Sequence, residues 1–177
     1  AKAKGYRSRA AFKLLSLAEK YRLFRQGQRV VDLGAAPGGW LQVAVEAIGP
    51  KGKAVGVDLA AIAPLPGATL IRADVSEPGL AARLRTELGG PADLVLSDMA
   101  SATTGDGSID HLRTLALAEA AFELALEILA PGGAFVVKLR QGATSETDWI
   151  AFAKRYRTAM KRPEAATLLG LPDVLSL

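Results

Sequence analysis

Residues 30 to 40, Val-Val-Asp-Leu-Gly-Ala-Ala-Pro-Gly-Gly-Trp, constrain the fold of this chain more than any other stretch. Val30, Val31 and Leu33 read as the end of a buried parallel strand. Gly34, Gly38 and Gly39 let the backbone turn tightly, and Leu41, Ala44, Val45 and Ile48 then open an amphipathic helix. A strand, a glycine-rich turn and a helix N-terminus form a receptor for a nucleotide-like ligand. Backbone N–H groups point into the gap, and the helix dipole favours an anionic group such as a carboxylate. Gly34-x-Ala36-x-x-Gly39 is one glycine short of a dinucleotide fingerprint. Asp32 before the turn, Pro37 inside it and Trp40 behind it argue against a dinucleotide. The expected ligand contacts are Gly34, Ala35, Pro37, Gly38, Gly39 and Trp40, with packing of Trp40 against the sheet as the alternative.

The remaining pattern alternates strands with helices. Ser8 is expected to cap a helix running to about Tyr21, with Ala11, Phe12, Leu15 and Ala18 inward and Arg9, Lys13 and Lys20 on the opposite side. Further strands are expected at 54–59, 69–72, 94–98 and 134–138. Ser76–Leu88 reads as a helix stopped by Gly89-Gly90, and 110–129 as the strongest helix, broken by Pro131-Gly132-Gly133. The Ser/Thr/Gly-rich loop from Met99 to Gly107 is long enough for a lid or substrate loop. Ser145 is expected to cap a last helix to about Met160, with Asp148 closing the capping box. This order gives a doubly wound, mostly parallel α/β sheet with helices on both faces, folded as one domain over residues 1–177.

In such sheets ligands sit outside the carboxyl ends of the strands. Asp32/Gly34, Asp58, Asp74, Asp98 and Lys138 all fall at or just past those ends. Asp58 is placed to accept hydrogen bonds from two ribose hydroxyls, and Asp74 from an adenine amino group. Asp98 and Lys138 close neighbouring strands, and a lysine ending an apolar strand beside an acid is a candidate general base.

Composition narrows the chemistry. There is no cysteine, and His111 is the only histidine, so no thiolate or His-rich metal site is expected. No apolar run approaches a membrane span, and the basic N-terminus lacks the apolar core of a signal peptide. A cytoplasmic monomer with no metal is expected. The net charge of +4 is polarised: residues 1–29 carry nine Lys/Arg against Glu19, residues 30–139 seven basic against thirteen acidic side chains. An acidic middle behind a flexible basic arm at 1–7 points to a polyanionic partner, RNA or DNA.

Asp32-x-Gly34-x-Ala36-x-Gly38 resembles the first motif of Rossmann-like S-adenosyl-L-methionine (SAM) methyltransferases. Arg7-Ser8-Arg9-Ala10-Ala11-Phe12-Lys13-Leu14, Val31–Trp40, Ser97-Asp98-Met99-Ala100 and Ala130-Pro131-Gly132-Gly133-x-Phe135-Val136-Val137-Lys138 together resemble the FtsJ-type ribosomal RNA large-subunit 2′-O-methyltransferases. The resemblance runs from about residue 4 to Gly142. It implies SAM as cofactor, with a uridine 2′-hydroxyl of large-subunit rRNA as acceptor and the large ribosomal subunit or its rRNA as partner, met through the basic arm and first helix. It also implies a Lys-Asp-Lys-Glu tetrad whose first three members are Lys13, Asp98 and Lys138. Other outcomes in the same frame are 2′-O-methylation of another RNA such as tRNA, or an RNA-binding or ribosome-assembly factor with impaired catalysis.

The resemblance fails at residues 163–177. The family pattern has a strand carrying the fourth tetrad residue, a glutamate, beside an aromatic residue. Here no glutamate follows Glu164, Pro172 disfavours a central strand, and Asp173 is one residue off register and one methylene shorter. Arg140 also stands where the family has an aromatic residue.

Overall fold

The computed structural model describes residues 5–99, 105–138 and 167–169, without the side chains of Ser108, His111 and 167–169. Expectations that fall on Lys2, Lys4, residues 100–104, Arg140, the helix from Ser145 to Met160 with Asp148, Glu164, Pro172 and Asp173 lie outside the described residues.

Six strands form one sheet: β1 (Arg29–Leu33), β2 (Lys53–Asp58), β3 (Ala68–Arg72), β4 (Ala92–Ser97), β5 (Leu129–Val137) and β6 (Thr167–Leu169). Their order is β3-β2-β1-β4-β5-β6, and every neighbouring pair is parallel. The expected doubly wound α/β fold is what forms. Valine-rich strands such as Val30-Val31 and Val136-Val137 suit a sheet covered on both faces.

Side-chain alternation divides the core in two. Val31, Leu33, Val55, Val57, Val95, Phe135 and Val137 pack under α3 (Leu80–Leu88) and α4 (Gly107–Ile128). Val30, Ala54, Leu94, Leu96 and Val136 face α1 (Ala10–Tyr21) and α2 (Gly39–Ile48). On α4 the stripe of Ala118, Phe122 and Ala125 is buried as its spacing predicts, while Glu123 and Glu127 stay exposed.

The ends of three elements differ from the sequence reading. Arg9, not Ser8, occupies the N-cap of α1, and no side chain caps it. Helix α3 begins at Leu80 instead of Ser76, because the Ser76 N–H bonds Asp74 Oδ1 at 2.8 Å in a local turn and Gly79 takes φ +85° at the N-cap. At its C-terminus Gly89 is left-handed, and the N–H groups of Gly89 and Gly90 satisfy Thr86 and Arg85 as a glycine stop requires. Pro131-Gly132-Gly133 forms a bulge inside β5 and not a linker: the two steps from Ala92 to Leu94 on β4 are matched by five from Leu129 to Ala134.

Trp40 does not face the ligand gap. Its ring is buried between α1 and α2, and its indole N–H donates to Ala10 O at 2.9 Å. The ring packs in the interior as the second expectation had it, but its hydrogen-bond partner lies on α1 and not on the sheet. Trp40→Phe removes this donor and part of the ring volume. It should lower unfolding free energy by about 1–3 kcal/mol, read as a shift in the urea midpoint at unchanged slope.

Candidate active site

The chain runs from β1 toward β3 in one direction and from β4 toward β6 in the other, so β1 and β4 part at their carboxyl ends. Such a switch point is where a doubly wound sheet opens a crevice. Here it holds a cleft of about 360 Å³ whose walls include Asp58, Asp74 and Asp98. Gly34 lies on its floor with φ +76°. A Cβ there would sit 2.5 Å from Met99 Cγ and 3.0 Å from Met99 Cα, so only glycine lets the exits of β1 and β4 pass this closely.

Asp58 is pinned by two backbone donors. Its Oδ2 accepts the Ala36 N–H at 2.9 Å and its Oδ1 the Ala60 N–H at 2.8 Å. Each oxygen keeps a further lone pair for a ligand hydroxyl. Asp74 is oriented by the Ser76 N–H in the same manner, at the end of β3. Leu59, Val75, Met99 and Leu117 supply the apolar wall, and Leu59 is 63% exposed despite its size.

Asp98 and Lys138 meet because of strand register. Ser97 and Val137 are paired across β4 and β5, so the residues that follow them emerge side by side on the same face. The backbone completes the arrangement: Lys138 N–H donates to Ser97 O at 2.8 Å and Asp98 N–H to Leu33 O at 3.3 Å. Lys138 Nζ forms an ion pair with Asp98 Oδ1, both side chains only partly exposed.

Asp32 was visible in the sequence as an acid inside an apolar strand, and the structure gives it a larger part than the sequence reading did. It points to the α2 side of β1, fully buried, and neither carboxylate oxygen has a hydrogen-bond partner among the described residues. Burial, reinforced by the negative charges of Asp98 and Asp58, pushes its carboxyl well above the usual carboxylate range. The Leu41 N–H in the first turn of α2 pulls the other way but falls short of a formed hydrogen bond. A buried acid with no donor is a place for a cation.

Of the residues expected at a cofactor, Gly34, Asp58, Asp74 and Asp98 line the cleft. Ala35, Pro37, Gly38, Gly39 and Trp40 do not. Ala35 is buried and its N–H is used in pairing with Val57 O, while Pro37 is exposed. Gly38 and Gly39 are needed for a different neighbour: a Cβ on Gly38 would come within 3.0 Å of Arg7 Nη1, and one on Gly39 would collide with Ser8 Oγ. Residues 5–7, expected in a flexible arm, are fastened to α2. Tyr6 OH donates to Glu46 at 2.9 Å, and the Gln42 side chain accepts from Arg7 N–H and donates to Gly5 O. Lys13 is exposed on α1 and is not among the cleft-lining residues. The apolar lining at Leu59, Val75, Met99 and Leu117 was missed, since Leu59, Val75 and Leu117 fall in no motif and Met99 belongs to one only as the neighbour of Asp98.

The raised Asp32 pKa sets a sign. The folded protein without ligand holds this proton more tightly than the unfolded chain does. The stability linked to it is therefore full below about pH 4 and is lost as pH rises toward the raised value. Asp32→Asn removes that dependence. The variant should become more stable relative to the wild-type protein as pH rises above about 4. A difference that stays flat with pH in urea titrations would refute the titration of Asp32.

Comparison with known proteins agrees with this architecture. A family model described as FtsJ-like methyltransferase matches residues 6–163. The ribosomal RNA large subunit methyltransferase E of Paramagnetospirillum magneticum is 50% identical over 175 residues, covering 96% of this chain and 72% of its own length. The protein of the same name from Granulibacter bethesdensis is 54% identical over 148 residues, covering 82% of this chain and 63% of its own. A solved Plasmodium falciparum structure, described as a ribosomal RNA methyltransferase, superposes with a TM-score of 0.73 at 28% identity, over 85% of this chain and 86% of that one. The chain belongs to the FtsJ-like methyltransferase family.

Proposed function

We propose that this chain is a SAM-dependent RNA ribose 2′-O-methyltransferase acting on the large ribosomal subunit or its rRNA, as a cytoplasmic monomer that needs no metal. The observation that carries the reading is the Lys138–Asp98 ion pair at the mouth of a cleft lined by three carboxylates. The names of the relatives support the choice of acceptor.

The residues present suit SAM. Asp32 is an orphaned buried carboxylate, and the sulfonium and α-ammonium of SAM are cations of the kind it lacks. Asp58 offers its remaining lone pairs to the ribose hydroxyls and Asp74 to the adenine amino group. Leu59, Val75, Met99 and Leu117 give a purine an apolar wall. When bound, SAM supplies an electrophilic methyl group on a positive sulfur.

A ribose hydroxyl is a poor nucleophile, so the chain's own task is to hold it in line and remove its proton. Lys138 takes the 2′-hydroxyl proton at Nζ or steers the hydroxyl from there, and Asp98 fixes where Nζ sits. A positioned base of this sort contributes roughly 10²–10⁴ in rate, and alignment of the two reactants supplies several kcal/mol more. Lys13 holds the ribose or phosphate from α1. Arg9, Lys13 and Lys20 are all exposed, which leaves their charge available to an RNA backbone.

With labelled SAM and unmodified large subunits, Lys138→Ala should slow methyl transfer by about 10²-fold or more while changing SAM affinity less than about two-fold. Binding of SAM with no transfer by the wild-type protein would favour a binding factor, and labelling of tRNA alone would overturn the rRNA assignment. RNA affinity measured by filter binding should fall roughly ten-fold or more between about 50 and 200 mM salt. A salt-insensitive affinity would remove the basic face from the interface.

A further inference from the structure

The loop from Leu59 to Gly67 leaves the cleft directly after Asp58 and returns at β3. Its stretch Ala63-Pro64-Leu65-Pro66 has two residues without an N–H, and the turn from Ala68 N–H to Leu65 O closes its far end while Ala63 O and Pro64 O lie before it. A donor reaches it from the far end of the chain. Arg7 Nη1 donates to Ala63 O and Nη2 to Pro64 O, each at 2.7 Å, and Nη1 also lies 3.5 Å from Pro37 O in the glycine turn. One guanidinium therefore spans the two loops that flank Asp58, and the Ala36 N–H on Asp58 Oδ2 ties the same two loops from inside the cleft.

The local sequence is built around this contact. Gly38, at φ +109°, has no side chain where Arg7 crosses it, and Gly39 leaves room for Ser8. Gln42 and Glu46 hold residues 5–7 along α2, and the edge-on Tyr6–Phe12 ring pair ties them to α1, so the guanidinium arrives already aimed. Arg7 itself does not line the cleft.

We infer that Arg7 is a positioning residue for the cofactor side of the cleft. By fastening loop 59–67 to the glycine turn it sets the position of Asp58 and Leu59, and so the cofactor affinity, without touching the ligand. This rests on the cofactor reading proposed above. The forked geometry matters as well as the charge: two carbonyls are reached by two separate nitrogens, which a lysine ammonium on the same stem does not reproduce.

The test is calorimetric titration of S-adenosylhomocysteine into the full chain, with thermal melts of the ligand-free proteins and steady-state kinetics alongside. Arg7→Ala and Arg7→Lys should each weaken binding about five-fold or more and raise KM for SAM by a similar factor. Their kcat should stay within about two-fold of the wild-type value. Tyr6→Phe, which loses the Glu46 hydrogen bond but keeps the ring contact, should bind as the wild-type protein does. Arg7→Lys retains the charge and stem, so it stays informative if Arg7→Ala does not fold. Wild-type affinity in Arg7→Lys, or a loss in Tyr6→Phe as large as in Arg7→Lys, would overturn the role of Arg7 alone. Failure of the wild-type protein to bind S-adenosylhomocysteine would overturn the cofactor reading and this inference with it.

Discussion

The parallel pairing of β1 with β4 sets the position of every group at the rim. Leu33 pairs with Ser97, and the chain on either side then departs in opposite directions. The gap left behind is narrow because Gly34 and Met99 pass almost in contact, and the Asp98 N–H still reaches back to Leu33 O. That single backbone tie places Asp98 over the junction. The next strand pair, Ser97 with Val137, then fixes Lys138 beside it. The Asp98–Lys138 ion pair is thus a consequence of two strand registers, and it needs no loop to be ordered first.

Asp32 shows what this arrangement costs. A carboxylate enclosed on the α2 face of the central strand, without a donor and close to Asp58 and Asp98, opposes folding at neutral pH. An apolar residue there would pack as Val30 does. Retaining an acid makes sense where a ligand completes its surroundings, so that a penalty carried by the empty fold becomes affinity for a cation. Strain of this type concentrates at functional sites.

Much of the fold was legible because its signals are local. Apolar runs ending in an acid or a lysine marked β1, β2, β4 and β5, and the period of Ala118, Phe122 and Ala125 marked α4. The start of α3 was misplaced because Asp74, not Ser76, organises the turn, and a side chain accepting from an N–H two residues ahead leaves little trace in the pattern. The bulge at Pro131–Gly133 was read as a break, since punctuation residues do not reveal whether a strand resumes on both sides of them. At the site, the acids and Lys138 were readable from their place at strand ends. The apolar lining was not, because it is assembled from four separate segments. The glycine run 34–39 looked like a single cradle and is two devices: Gly34 serves the cleft, while Gly38 and Gly39 serve the passage of Arg7 and Ser8.

The uneven charge along the chain acquires a physical meaning once these positions are known. Asp58, Asp74 and Asp98 line one cleft, Asp32 is enclosed on the α2 side of β1, and exposed basic side chains sit on α1. On the proposed reading the acids hold a cationic donor and the bases an anionic acceptor, so the two substrates are sorted by sign before any specific contact forms. Such sorting aids binding but not the chemical step. Methyl transfer neutralises the sulfonium, and an acidic cleft therefore favours the reactant over the transition state. The rate must come from elsewhere, and Lys138 is the cation placed by Asp98 at that rim. On that reading the acids load the site, and the lysine beside Asp98 acts on the acceptor hydroxyl.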